Sequence, residues 1–492
     1  MRLRSGAVLL LLAAALDLGP VASQAPYQYD FVREDSLSRT LDLDAPDPAA
    51  IHQILARRRT RVLRAIPDGA MLIYSVEWVQ PRRLEFQVQH SDNHDFIYLT
   101  GIEGLESVRS ALLLVPGEER DWEVLYSSAA DLDAIRRASG IADVRPFAKL
   151  EEELSVALTD YRDWRITQIR RWPLPAALAR RWGSEQKTLY LNYPRFYRLG
   201  MPEPERLAEF DKLRRFSPDV RLRDAADLLD PIRMYHDALG LASLRRAVAI
   251  TGEGIVEAFR AARPGMTETD VMQMIDFVYR YRGADLGFPT GVERHPMTGR
   301  PPEPRIPEGF IQYRARSSRA VLAPGDLLHT DTGAEFNHYS ADIQRNVAID
   351  GTLNPKQREL YEIALRVQKT VIDSIRPGVT WWELHRLAER MLREAGGYDQ
   401  YYRYGIGHFI GMEVHDEGDY TRPLEPGMAL SIEQGVAPPG LPRVAFEDDV
   451  IVTATGREWV SRSIPIEIAE IEALRRTPST LDAFARKSPP RP

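Results

Sequence analysis

The sequence contains no cysteine. This excludes a thiol nucleophile, a disulfide framework and any thiolate metal site. If the chain binds a metal, the ligands must be oxygen and imidazole nitrogen. There is no low-complexity tract, and no apolar run reaches the ~20 residues that span a bilayer. A strong charge of one sign is also absent. The 64 Lys and Arg nearly balance the 71 Asp and Glu, for a net charge of -7, so general nucleic-acid binding is not expected. The blocks Arg57-Arg58-Arg59 and Arg170-Arg171 read as solvated helix faces rather than phosphate sites.

The chain has 492 residues, 44% of them hydrophobic and 27% charged. That composition is globular, and two domains are the natural expectation at this length. At the N-terminus, Arg2 and Arg4 precede the apolar run Ala7 to Leu16 and the small residues Val21-Ala22-Ser23. These read as an export signal over residues 1–23, cleaved after Ser23. The expectation is a secreted or periplasmic protein, not held to the membrane after cleavage.

Residues 46–64 read as a helix with a basic outer face. Three β-type runs follow: Met71 to Tyr74, Phe96 to Leu99, and Ala111 to Val115. They alternate with helical stretches at 129–138 and 150–158, the pattern of an α/β layer. Residues 195–232 are rich in proline and charge and read as a connector, so the first domain with its connector covers 46–232. The second domain, 236–475, contains an internal repeat. Arg263-Pro264-Gly265-Met266-Thr267 recurs as Arg376-Pro377-Gly378-Val379-Thr380. Long amphipathic helices, about 239–262 and 355–375, precede the two copies. Capping signals follow them, Thr267 with Asp270 and Thr380 with Glu383. Two helices and an antiparallel hairpin, used twice, give a pseudo-symmetric α+β domain. Residues 476–492 read as a disordered tail.

Two hairpins carry the chemistry. Leu327 to Asp331 is strand-like, the chain turns through Gly333 to Asn337, and Tyr339 to Ile349 returns. Asp331 and Asp342 thereby fall on adjacent strands. Ala429 to Glu433 is a strand and Val444 to Glu447 opens its return, so Glu433 and Glu447 can converge. Both close apolar runs, where a carboxylate is costly to bury unless paired or bound to metal. Between the hairpins lies the glycine-flanked His408, with His415 seven residues on. Taken singly, each of these residues reads as structural. Four carboxylates with one imidazole suit two divalent ions, manganese, cobalt or zinc. Bridging carboxylates hold such ions ~3.5–4 Å apart and activate a water between them.

The ordered set Asp331, Asp342, His408, Glu433, Glu447 resembles the pita-bread metallopeptidases: methionine aminopeptidase, aminopeptidase P and prolidase. The segments Gly325 to Gly333, Tyr339 to Arg345, Gly405 to Asp416 and Phe446 to Thr453 carry the likeness, which spans about residues 238–470. Asp92 to Gly101 resembles the N-terminal domain of aminopeptidase P and prolidase, which methionine aminopeptidase lacks. The resemblance implies a pita-bread catalytic domain behind an α/β domain. It also implies two divalent ions, manganese foremost, and a peptide or dipeptide substrate cut at a Xaa-Pro bond. By the same likeness Asp331, Asp342 and Glu447 would hold one ion, and Asp342, His408, Glu433 and Glu447 the other. Glu433 would shuttle a proton and His415 would bond the oxyanion. A homodimer or tetramer is implied as well.

Several groups depart from the family's pattern. Phe310-Ile311-Gln312-Tyr313-Arg314 has no histidine where Xaa-Pro members carry one before a tyrosine. Tyr404 stands for a histidine, Ala445 for an arginine and Gln344 for a threonine. Tyr404, Tyr313 and His295 are the substrate-side candidates, His295 as a replacement for the absent histidine. Two other readings share the fold. One is a creatinase-like hydrolase of another C–N substrate, whose family members lack the metal ligands. The other is a non-catalytic homologue, which would be expected to have lost some of them.

Overall fold

A computed structural model describes residues 29–75, 93–103, 109–159, 173–182, 187–193, 206–296, 320–402 and 405–483. The export signal, Arg170-Arg171, Tyr313 and Tyr404 lie outside these residues. Strands β1 (Ala70–Tyr74), β2 (Ser110–Val115), β3 (Trp122–Ser127), β4 (Asp143–Pro146), β5 (Lys187–Leu191) and β6 (Val220–Asp224) form one mixed sheet. Its order is β4-β3-β2-β1-β5-β6. Alternation along the strands sends residues to opposite faces. Met71, Ile73, Leu112 and Leu114 pack with Val62 of helix Pro48–Ala65, while Leu72, Ala111 and Leu113 pack with Leu154 and Leu178 of helices Ala148–Leu158 and Pro173–Trp182. The sheet is therefore covered on both sides, which explains its near-continuous Leu and Val strands.

Several expectations are corrected here. Phe96 to Leu99 is not a strand but part of helix His94–Thr100, with the Asn93 side chain capping it by accepting from the Phe96 amide at 3.1 Å. The stretch read as a connector supplies β6, paired in parallel to β5. Arg58 and Arg59 are not solvated, each being 2% exposed. The Arg58 fork donates to both carboxylate oxygens of Asp237 at 2.7 and 2.8 Å, and Arg59 donates to Glu123 at 2.7 Å. Arg58 and Arg59 face inward because the buried Asp237 and the half-buried Glu123 meet them there. The expected tail is ordered at its start. Ser479 and Thr480 hydrogen-bond the Glu257 carboxylate, and Leu481 is buried.

The second half builds around a seven-stranded sheet. It contains β8 (Gly291–His295), β9 (Leu327–Thr332), β12 (Ile343–Ala348), β13 (Gly407–Phe409), β14 (Ala429–Val436), β15 (Val444–Val452) and β16 (Arg457–Trp459). The order is β13-β14-β15-β12-β9-β8, with β16 beside β15. Short strands β7 (Asp285–Leu286), β10 (Ala334–Phe336) and β11 (Tyr339–Ser340) form a small sheet of their own. Helices Ala238–Ala261 and Glu268–Tyr281 share a core with Leu328, Ile343 and Val347. Helices Pro355–Ser374 and Trp381–Glu394 share another with Leu430, Ile432, Phe446 and Val450. The second helix of each pair opens on a complete capping box, Thr267 with Asp270 and Thr380 with Glu383. The sequence repeat is thus a repeat of structure, and apolar strand residues bind the helix pairs to one face. The opposite face is left to polar side chains.

Candidate metal centre

Strand register places the acidic residues. Asp331 on β9 faces Gln344 on β12, Gln344 faces Glu447 on β15, and Glu447 faces Glu433 on β14. Residues directly opposed across strands share a face, so these four make one rung. Asp342, two residues before Gln344, and His408, which faces Ser431 on β14, lie one step along the same face. The structure therefore brings together all five residues expected to hold metal. Oxygens of Asp331, Asp342 and Glu447 lie within 4.8 Å of one another, as do donor atoms of Asp342, His408 and His415. The His408 Nε2 is 3.4 Å from both Asp342 Oδ2 and Glu447 Oε1. His415 is exposed at the edge, with its ring 4.2 Å from that of His408.

His408 is aimed by its own backbone. Its Nδ1 lies 2.9 Å from the Phe409 carbonyl oxygen. A nitrogen facing a carbonyl carries hydrogen, so Nε2 is left to face the carboxylates. Gly407 has φ +134°, and a Cβ there would fall 1.9 Å from the Ser431 carbonyl oxygen. Only glycine lets β13 lie this close to β14.

The electrostatics call for cations. Burial and the Glu447 charge push Glu433 up to about 8. Burial and the charges of Glu447 and Asp331 push Asp342 well above the ordinary carboxylate range. Burial opposes charge on Glu447 too, yet hydrogen bonds from His408, Ser431 and Gln344 hold its pKa below the ordinary value. Burial likewise opposes a charged His408, but Asp342 and Glu447 beside it raise its pKa. Oδ1 of Asp342 is buried and has no hydrogen-bond partner among the described residues. A buried acceptor without a donor, amid carboxylates that resist ionising together, fits a site for divalent ions.

Several supporting residues were not singled out as such from the sequence. Ser431 donates to Glu447 Oε1 at 2.8 Å. Asp449 accepts the Asp342 amide at 3.1 Å. Gln344, noted only as a departure, donates to Glu447 Oε2 at 2.5 Å and to Glu433 Oε2 at 3.3 Å. Its carbonyl oxygen faces His329 Nε2 at 3.0 Å and accepts from Arg443 at 3.2 Å. Behind the rung, Arg345 and Asp448 are fully buried and paired at 2.6 Å, and Arg345 also bonds the Glu447 carbonyl oxygen at 2.9 Å. The signal available in sequence was polar residues recurring inside strands otherwise made of buried apolar ones. His295 faces Leu327 on β9, four residues from Asp331, and stands beside the ligand rung rather than in it.

Residues 242–454 match the model of metallopeptidase family M24. The chain is 29% identical over 243 residues to a Xaa-Pro dipeptidase of Pyrococcus furiosus. That match covers 48% of this chain and 66% of the dipeptidase, a little under two thirds of its length. Against a Xaa-Pro aminopeptidase of Escherichia coli it is 26% identical over 451 residues, covering 85% of this chain and 96% of the relative. The solved structure of Escherichia coli aminopeptidase P with the inhibitor Pro-Leu superposes with a TM-score of 0.67 at 24% identity. That superposition covers 86% of this chain and 98% of the other, and it shows the shared fold.

Proposed function

Because the chain belongs to the M24 metallopeptidases, in the aminopeptidase P and prolidase group, we propose that it is a metal-dependent exopeptidase that cuts Xaa-Pro bonds at peptide N-termini. The observation that carries this reading is the convergence of Asp331, Asp342, His408, Glu433 and Glu447 on one sheet face, with a buried Asp342 oxygen left for a cation. Two divalent ions in that set, manganese by preference, would supply the positive charge that polarises a carbonyl and lowers the pKa of water. The side chains do the rest. Glu433, opposite Glu447 on the rung, is placed to take a proton from the attacking water and return it to the leaving amine. His415, exposed beside His408, donates to the oxygen on which charge develops. Gln344 holds Glu433 and Glu447 in one orientation through its amide.

The proline preference is supported by the names of the relatives. Ala445, where the family's pattern has arginine, argues for a second reading in which non-proline peptides are also cut. Arg2, Arg4 and the apolar run after them support export from the cytoplasm. No helix among the described residues is long and apolar enough to cross a membrane. The decisive experiment is a panel assay on manganese-, cobalt- and zinc-loaded protein, with a Xaa-Pro dipeptide, a longer Xaa-Pro peptide and non-proline controls. Hydrolysis of the Xaa-Pro substrates, abolished by Asp342→Asn, is expected. Full activity in that variant would refute the mechanism.

A further inference from the structure

A second cluster of potential ligands stands beside the metal rung. Glu293 on β8 faces His329 on β9, and His295 follows two residues along β8 on the same face. One donor atom from each of Glu293, His295 and His329 lies within 4.8 Å of the other two. The His295 Nε2 is 3.8 Å from Glu293 Oε2, and the two imidazole centroids are 6.2 Å apart. Two ligands of a tetrahedral ion at bond lengths of ~2.0–2.1 Å sit ~3.3 Å apart, so this pair needs only a small rotamer adjustment. We propose that Glu293, His295 and His329 hold a third divalent transition-metal ion, distinct from the pair bound by the rung.

The orientation of His329 supports this assignment. Gln344 donates through its nitrogen to the Glu447 and Glu433 carboxylates, so its carbonyl oxygen is the atom that faces His329 Nε2 at 3.0 Å. An imidazole nitrogen directed at a carbonyl oxygen carries the hydrogen. The lone pair of neutral His329 is therefore on Nδ1. A metal-binding histidine commonly has its other nitrogen fixed by an outer hydrogen bond of this kind. His329 is buried at 1% exposure, on the same face of β9 as Asp331. Glu293 and His295 are partly exposed, which gives an ion a path in from solvent. Two imidazoles and one carboxylate suit a borderline ion such as zinc and leave a coordination position open. Gln344 then connects the two sites, since its nitrogen reaches the rung and its oxygen reaches His329.

The test is a metal count on the full chain. Chelator-stripped protein is titrated with zinc by calorimetry, and bound zinc is measured by mass spectrometry after desalting. The wild type is expected to bind one equivalent more than either Glu293→Gln or His295→Ala. Asp342→Asn is expected to lose equivalents from the rung and to keep this one. Adding His295→Ala to Asp342→Asn should then remove it. Equal zinc counts for the wild type and both single variants overturn the proposal, whatever Asp342→Asn does. Failure of the rung would instead show as an unchanged count in Asp342→Asn. Glu293→Gln changes no volume, so it provides the reading should His295→Ala fold poorly.

Discussion

Arg58→Met would remove a charged fork from a buried site while keeping most of its volume. Arg58 donates to both oxygens of Asp237, to the Tyr98 carbonyl oxygen at 3.0 Å and to the Tyr339 hydroxyl at 3.1 Å. Asp237 is also the cap of helix Ala238–Ala261, accepting the Gly240 amide at 3.1 Å. Without Arg58, its carboxylate keeps the cap bond and the Arg61 charge but stays buried without its paired guanidinium. Breaking one side of such a pair costs about 3–5 kcal/mol. The pH dependence should reverse in sign. In the wild type, burial alone would raise the Asp237 pKa, but Arg58 holds it well below the ordinary range. That pair stabilises the fold above the unfolded carboxyl pKa of ~3.9 and is lost as pH falls. In Arg58→Met, burial is opposed by the Arg61 charge and the Gly240 amide without the paired guanidinium, so the pKa should rise and the deficit should grow as pH rises from 4 to 7. Urea denaturation at pH 5 and 7.5 measures this. Adding Asp237→Asn should recover part of the loss, because asparagine still caps the helix and carries no charge. A deficit below about 1 kcal/mol, unchanged with pH and additive in the double variant, would refute the reasoning.

Other perturbations follow from the metal face. Gln344→Ala should lower metal affinity or turnover by about 10–100-fold, read by calorimetry and steady-state kinetics. Gly407→Ala sets a side chain against the Ser431 carbonyl oxygen at φ +134°. It should cost about 1–3 kcal/mol in backbone strain alone and weaken metal binding through His408, both measurable on one preparation. In the metal-free protein, Glu433 near 8 holds a proton that the unfolded chain releases near ~4.3. The folded state then binds more protons across that window, so stability should fall as pH rises from about 4.5 to 8. Glu433→Gln should flatten that slope in thermal melts.

Local signals were legible where both ends of an interaction lie close in the chain. Thr267 with Asp270 and Thr380 with Glu383 formed the expected boxes. The hairpin spacing let Glu433 and Glu447 be paired from the sequence, and the register places them opposite each other. Readings that depended on distant partners failed. Arg58 finds Asp237 at a separation of 179 residues, a partner that the local charge run does not reveal. Phe96 to Leu99 is a four-residue apolar run without enough length to show a period. Asn93 as N-cap and Gly101 as left-handed C-cap were the signals for helix. Gln344 stood out as an oddity, but its work depends on four neighbours, His329, Glu433, Arg443 and Glu447, that only folding assembles.

The ligand rung draws on both structural repeats, with its first carboxylates on the hairpin around residue 331 and its last at residue 447. A growing chain that has made only the earlier hairpin owns Asp331 and Asp342 but lacks His408, Glu433 and Glu447. Such a fragment has too few of the rung's donors to retain the ion pair, and proteolysis that removes the later hairpin leaves the same remnant. Capture of a metal pair by the rung would therefore wait until the chain has been made and folded through residue 447, and hydrolysis would begin there rather than build up along the way.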